Sequence, residues 1–202
     1  MGYYIRVFAL KDESIPLQEI KDHVSESELS INIEVEDGSD TQWNQLLLKH
    51  DEELHVAVVE RNPTNEELGE EEIQEFLEEI EDYKPNSAVK WLKSFLPKVK
   101  VVYAFQILSG ADEGDGWKAI REIQGLIWNK LGGIFQADGE GFSNEEGYHI
   151  LWQFSDTVKG HWNMAVRKTF GGWASFEMDL GDNEQRQAFW SGKVPKGANS
   201  LK

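Results

Sequence analysis

The chain contains no cysteine among its 202 residues, which excludes a disulfide framework, thiolate catalysis and cysteine-ligated metal sites. It also has no apolar run approaching the ~20 residues that cross a bilayer, so no membrane span is predicted. The common hydrolase motifs HExxH and GxSxG are missing, and the five histidines are scattered. We therefore expect a cytoplasmic globular protein that uses no cofactor.

Positive charge is scarce: 20 Lys and Arg face 37 Asp and Glu, for a net charge of −17. The imbalance lies in residues 1–97, with 24 acidic against 8 basic side chains, while residues 98–202 carry 13 against 12. An acidic surface repels phosphate backbones and anionic lipid, so we expect no direct binding to nucleic acid or membrane. It attracts basic proteins instead, although acidity also serves solubility alone.

The order of periodic segments predicts an α+β fold. Residues 1–97 are predicted as β-α-β-β-β-α-α and residues 98–202 as β-α-β-β-β-β-α, with YYIRVFAL and VVYAFQIL in equivalent places. We interpret this as two similar β-α-β-β-β-α halves with mainly antiparallel sheet, pseudo-duplicated in architecture. The predicted domains are an acidic half, 1–97, and a tryptophan-rich half, 98–202. One compact domain is the alternative.

An antiparallel meander is predicted late in the chain, because residues 148–154, 162–166 and 174–180 alternate between apolar and polar side chains. One face of this meander is polar, as is common for antiparallel sheets. Trp173 is expected on that face, and a large aromatic ring beside charged groups suits a binding surface. The polar members of the face are His149, Gln153, Asn163, Arg167, Ser175 and Glu177.

The stretch from residue 132 to residue 154, GGIFQADGEGFSNEEGYHILWQF, gathers the densest set of potential ligands. It fails as an EF-hand loop because Gln136 and Gly147 occupy two positions that need acidic ligands. It fails as a dinucleotide fingerprint because Asn144 replaces the third glycine. Together with the polar face of the meander, it supplies the candidate ligand-binding residues Asp138, Glu140, Asn144, His149, Arg167, Trp173 and Glu177.

Three interpretations of this stretch stay open. Asp138, Glu140 and His149 could ligate one metal ion if two strands pair across the loop. Glu140 could instead share acid–base chemistry with Glu145 or Glu146. The simplest interpretation is that the glycines form turns and the acids are solvated. No catalytic residue and no bound metal is therefore predicted.

An acidic helix is predicted after Thr64, which with Glu67 matches a capping box. Its apolar face carries Ile73, Phe76, Leu77 and Ile80, while no Lys or Arg occurs between residues 66 and 82. Like charges four residues apart destabilise an exposed helix, so this acidity is not explained by helix stability. The candidate partner-binding residues are Glu70, Glu71, Glu75, Glu78 and Glu79.

These patterns favour a non-enzymatic acidic protein that docks a basic protein partner, as inhibitors, immunity proteins and DNA mimics do. The alternative is a small-ligand- or metal-binding protein, or a hydrolase, that uses the carboxylates and histidine of residues 138–149. A third possibility is a scaffold or oligomer subunit whose tryptophans fill interfaces.

Overall fold

A computed structural model describes residues 2–201. The described part contains the helices Leu17–Glu26 (α1), Glu67–Glu79 (α2), Asn86–Phe95 (α3), Gly116–Leu131 (α4) and Asn183–Trp190 (α5). Its strands are Tyr3–Ala9 (β1), Asn32–Ser39 (β2), Gln42–Lys49 (β3), His55–Pro63 (β4), Val101–Ile107 (β5), Ile134–Ala137 (β6), Gly141–Phe142 (β7), His161–Arg167 (β8), Trp173–Asp179 (β9) and Asn199–Ser200 (β10). The fold is α+β with mainly antiparallel strands, which confirms the predicted class.

The first compact unit comprises Met1–Glu70 and Val99–Gly133. Its strands lie side by side in the order β2-β3-β4-β5-β1, and each neighbouring pair is antiparallel. The apolar strand β5 lies between β4 and β1, and its residues from Val101 to Phe105 are buried. Strand β5 is therefore a central strand covered on both faces.

Helices α1 and α4 contact each other in this unit. Each buries an aliphatic stripe at helical spacing: Leu17, Ile20 and Val24 in α1, and Ile120, Ile123 and Ile127 in α4. Nε2 of His23 lies 3.1 Å from a carboxylate oxygen of Glu122, which links their outer surfaces. Helix α4 ends where Gly132 takes a φ of 67°, a left-handed conformation that glycine adopts without steric cost.

The second compact unit comprises Glu71–Lys98 and Ile134–Lys202. Strands β6 and β7 form a short hairpin, and a separate sheet has the order β10-β9-β8. Helix α3 buries the apolar side chains Ala88, Val89, Leu92 and Phe95. The core of the β8–β9 region contains Trp152, Phe154, Met164, Val166, Phe176, Met178, Leu180 and Phe189. Aromatic residues therefore supply much of this core.

The strand predicted at residues 148–154 is wrong, while the two later strands of the meander are confirmed as β8 and β9. His149 and Trp152 form only isolated bridges, and the N–H of Trp152 donates to the carbonyl oxygen of Lys84 at 2.9 Å. The third strand of this sheet is β10, which pairs with β9. Alternation describes which side chains are buried, but it does not supply a neighbouring strand to pair with.

The compact units do not follow the predicted boundary between residues 97 and 98. Strand β5 belongs to the second half of the chain, yet it pairs with β1 and with β4. The segments YYIRVFAL and VVYAFQIL are therefore antiparallel neighbours in one sheet, with Tyr3 opposite Ile107. The pseudo-duplication of the halves is not confirmed.

The capping box predicted at Thr64 is also wrong. The Thr64 hydroxyl donates to the carbonyl oxygen of Val99 at 2.8 Å, and helix α2 begins only at Glu67. Glu66 directly precedes the helix, so Thr64 lies outside the N-cap position.

Candidate functional site

The stretch from residue 138 to residue 149 connects β6 to the core of the second unit through two turns. Asp138, Gly139 and Glu140 form the loop of the β6–β7 hairpin, because Ala137 pairs with Gly141. The second turn is closed by Asn144, whose Oδ1 accepts the backbone N–H groups of Glu146 at 3.0 Å and Tyr148 at 2.9 Å. Since Asn144 is 0% exposed, its carbonyl oxygen serves the backbone.

Two of the candidate ligands meet: Nε2 of His149 lies 3.8 Å from Oε2 of Glu140. The His149 ring also packs edge-on against Trp162, with ring centres 4.8 Å apart, and lies 5.6 Å from the ring of Phe154. Asp138 instead accepts a hydrogen bond from Nε2 of Gln136 at 3.4 Å. His149 is therefore built into an aromatic cluster, with one carboxylate at its edge.

No group of three or more His, Asp or Glu side chains that could hold a metal ion occurs in residues 2–201. Asp138, Glu140 and His149 thus do not form the three-ligand site considered from the sequence. Of the two carboxylates considered as acid–base partners of Glu140, Glu145 is engaged elsewhere, because its Oε2 accepts the indole N–H of Trp173 at 3.1 Å. The interpretation of this stretch as turns between core segments fits the geometry best.

Trp173 is 9% exposed, so its expected place on a solvated face is wrong. Helix α3 covers this part of β9, where Trp91 meets the Trp173 ring edge-on with centres 5.1 Å apart. The guanidinium carbon of Arg167 lies 4.9 Å from the Trp173 ring centre. This stacking, together with the bond to Glu145, gives both Arg167 and Trp173 partners within the unit.

Glu177 lies farther along β9, opposite Asn163 in the β8–β9 register. Its Oε1 is 3.5 Å from Nδ1 of His161 and accepts from Nδ2 of Asn199 at 3.3 Å. The candidate ligand residues therefore fall into separate groups: the hairpin with His149, the Arg167–Trp173 stack, and the Glu177 contacts.

The candidate partner-binding residues Glu70, Glu71, Glu75, Glu78 and Glu79 are all exposed on α2. Glu79 accepts a hydrogen bond from Nε2 of Gln153 at 2.9 Å. Just beyond the helix, the Lys93 ammonium pairs with Glu81 and holds the pKa of that carboxyl below its ordinary value. The described residues provide no ion pair for the other four glutamates of this set.

The second unit contains an aromatic cleft that the sequence patterns did not predict. It is a depression of about 260 Å³ whose walls include Tyr83, Trp152, Phe154 and Trp190. The Trp152 and Trp190 rings are nearly perpendicular, with centres 5.5 Å apart. The abundance of tryptophan after residue 98 is the signal for such a cleft, but the contribution of Tyr83 is nonlocal and has no sequence signature.

A second missed feature is a groove of about 510 Å³ in the first unit. Its walls carry four carboxylates, from Asp37, Glu60, Glu66 and Glu67. The Arg61 guanidinium also lines the groove, but it pairs with the carboxylate of Asp12. The groove is therefore acidic, and Leu68 beside it is 69% exposed.

The chain matches no protein-family model, no curated protein and no solved structure. Among residues 2–201, no helix combines the length and the apolar character needed to cross a membrane. Function is therefore inferred from geometry and charge.

Proposed function

We propose that this protein is a non-enzymatic acidic binding protein whose helix α2 docks a basic protein partner, in the manner of an inhibitor, immunity protein or DNA mimic. The observation that carries the proposal is the row of exposed carboxylates on α2. Glu70, Glu71, Glu75 and Glu78 point away from the buried face and have no ion-pair partner among the described residues. Such carboxylates are available to lysine and arginine side chains of another protein.

The acids of α2 are unfavourable for the isolated helix. Glu71 and Glu75 are spaced four residues apart, as are Glu75 and Glu79, and each such like-charge pair costs about 0.2–0.5 kcal/mol. The helix is held instead by its apolar face, where Ile73, Phe76 and Ile80 are buried. A cationic partner would reduce the repulsion between these glutamates. The charges of α2 would therefore favour binding, although they do not stabilise the helix itself.

The charge of the protein also limits the kind of partner. A net charge of −17 opposes nucleic acid and anionic lipid but favours encounter with a basic protein at low ionic strength. The acidic groove of the first unit, with Glu60, Glu66 and Glu67, adds further carboxylates. We therefore expect association that weakens steeply as salt screens these charges.

A deca-arginine peptide provides a defined test, using titration calorimetry at low and high salt. The test variant carries Glu71→Gln, Glu75→Gln and Glu78→Gln. The matched control carries Glu26→Gln, Glu36→Gln and Glu53→Gln, which removes the same number of charges from exposed positions elsewhere. We expect the test variant to bind the peptide roughly tenfold more weakly than the parent and the control to change about twofold or less.

Affinity capture from a cell extract extends this test to natural partners. We expect the parent to retain proteins rich in Lys and Arg that are released as salt rises, and the α2 variant to retain much less of them. Equal weakening of peptide binding in the two triple variants would contradict docking on α2. Recovery of only acidic proteins would contradict the proposed partner class.

A small-ligand site at residues 138–149 is not put forward as a second function. The contact between Glu140 and His149 is its one supporting observation, and Asn144 serves the backbone. A thermal-shift screen with divalent metals addresses it directly, since a ligand at ~100 Kd adds about 2.7 kcal/mol of stability. We expect no shift that depends on His149.

A further inference from the structure

We infer that the aromatic cleft of the second unit binds the cationic side chain of an arginine presented by a basic protein. This inference rests on the proposed function and names the anchor of that interaction. The cleft, as defined above, is lined by Tyr83, Trp152, Phe154 and Trp190. Its volume of about 260 Å³ lies just below the usual range for metabolite pockets, which suits a single long side chain.

The walls of the cleft suit a cation. Aromatic ring faces attract guanidinium and ammonium groups, and tryptophan does so most strongly. Trp152 is 6% exposed and already has the guanidinium of Arg186 over its ring, with Cζ 5.3 Å from the ring centre, so the open aromatic surface comes mainly from other rings of the cleft. Trp190 and Tyr83 are half-buried, so part of each ring remains open to solvent in the described structure.

The rim of the cleft has the complementary charge. Asp82 and Asp156 are exposed carboxylates that line it, and Lys84 is the opposing ammonium. Glu79 adds a third carboxylate next to the cleft through its hydrogen bond with Gln153. A planar guanidinium can donate to a carboxylate while its face stacks on a ring, which a lysine ammonium cannot do.

The cleft continues the acidic surface of α2. The short helix Ile80–Asp82 follows α2 directly and ends at the rim. The carboxylates of the helix therefore attract a basic partner towards the cleft, and the tryptophans anchor one of its arginines. This division matches protein interfaces in general, where peripheral charges set the encounter rate and buried aromatic contacts carry affinity.

The test uses N-acetyl-arginine N-methylamide as a probe and follows the tryptophan indole N–H signals by NMR. Single Trp→Phe variants assign the signals. We expect saturable shifts for Trp152 and Trp190 and none for Trp43 or Trp117. The neutral probe N-acetyl-norleucine N-methylamide should leave all signals in place. Equal shifts with the neutral probe, or no shift with the arginine probe, overturn the inference.

Charge variants at the rim provide the second measurement. The double variant Asp82→Asn, Asp156→Asn should bind the arginine probe at least tenfold more weakly than the parent. The matched control Glu146→Gln, Glu184→Gln removes two exposed charges elsewhere in the same unit and should change binding less than twofold. Thermal unfolding checks that both variants are folded. Equal weakening in both variants overturns the inference.

Failure of this inference can be told apart from failure of the proposed function. If the α2 variant loses deca-arginine binding while the Asp82, Asp156 variant retains it, the cleft is not the anchor and the proposed function stands. If the arginine probe saturates the cleft but deca-arginine binding is independent of α2, docking on α2 is overturned and the cleft remains a cation site.

Discussion

The guanidinium of Arg186 lies over the ring of Trp152 and donates hydrogen bonds to backbone carbonyl oxygens. The acceptors are Asp156 at 2.8 Å, Val158 at 2.5 Å and Leu180. Arg186 is 7% exposed, and no carboxylate pairs with it in the described part of the chain. The buried guanidinium of Arg186 therefore links helix α5 to the segment around Asp156 and packs against Trp152, a wall residue of the aromatic cleft.

Replacing Arg186 should destabilise the fold through this network. Arg186→Met keeps a long apolar side chain but leaves the carbonyl oxygens without a donor, so we expect the free energy of unfolding to fall by about 1.5–3 kcal/mol. Urea denaturation followed by tryptophan fluorescence measures it. The control Arg121→Met, at an exposed site on α4, should change stability by about 0.5 kcal/mol or less. Similar losses in both variants would contradict the role of Arg186.

Asn144 should behave as a structural residue. Asn144→Ala removes the acceptor for the N–H groups of Glu146 and Tyr148, so we expect a loss of about 1–3 kcal/mol in the free energy of unfolding. The exposed Asn163 provides the control, and Asn163→Ala should be nearly neutral. Unchanged stability of Asn144→Ala, measured by urea denaturation, would instead favour the ligand role considered from the sequence.

Two glycines of the β6–β7 hairpin allow a steric test. Gly139 and Gly141 both have positive φ, but a Cβ on Gly141 would lie 2.2 Å from the Leu151 carbonyl oxygen, whereas a Cβ on Gly139 meets nothing within 4 Å. We expect Gly139→Ala to cost about 1–2 kcal/mol from the backbone conformation. Gly141→Ala should cost about 1–3 kcal/mol more from the clash. Equal losses in denaturation experiments would contradict the close approach.

Asp182 should contribute a specific pH dependence. Its carboxylate caps α5 by accepting the backbone N–H groups of Gln185 and Glu184, and these hydrogen bonds lower its pKa in the folded protein. A lowered folded-state pKa means that the contribution is complete above about pH 3.9 and is lost as pH falls through the folded-state pKa.

Asp182→Asn keeps the capping oxygen without the titration. We expect the stability gap between parent and Asp182→Asn to narrow as the pH is lowered from neutral through the acidic range. Urea denaturation at a series of pH values measures that gap. A gap that stays constant with pH would show that Asp182 does not carry this dependence.

Local sequence patterns predicted correctly those strands that pair with a strand close by in the chain. The alternation of β8 and β9 agrees with the structure. The alternation of residues 148–154 failed, because Trp152 hydrogen-bonds with Lys84 rather than with a neighbouring strand. The capping box at Thr64 failed because α2 begins only at Glu67, and the Thr64 hydroxyl donates to the distant Val99 carbonyl oxygen. Such partners lie far away in the chain and leave no periodic signal.

By itself the sequence determined the composition-driven properties: the α+β class, the absence of thiol chemistry, the concentration of acids before residue 98 and their exposure on α2. These follow from residue types and from the period of a helix or strand, which are local. Only the tertiary structure decided that Trp173 is buried under α3, that β5 joins β1 and β4, and that Tyr83 meets Trp152 and Trp190 at a cleft. Those contacts depend on which surfaces pack together, and packing between distant segments is set by the whole fold.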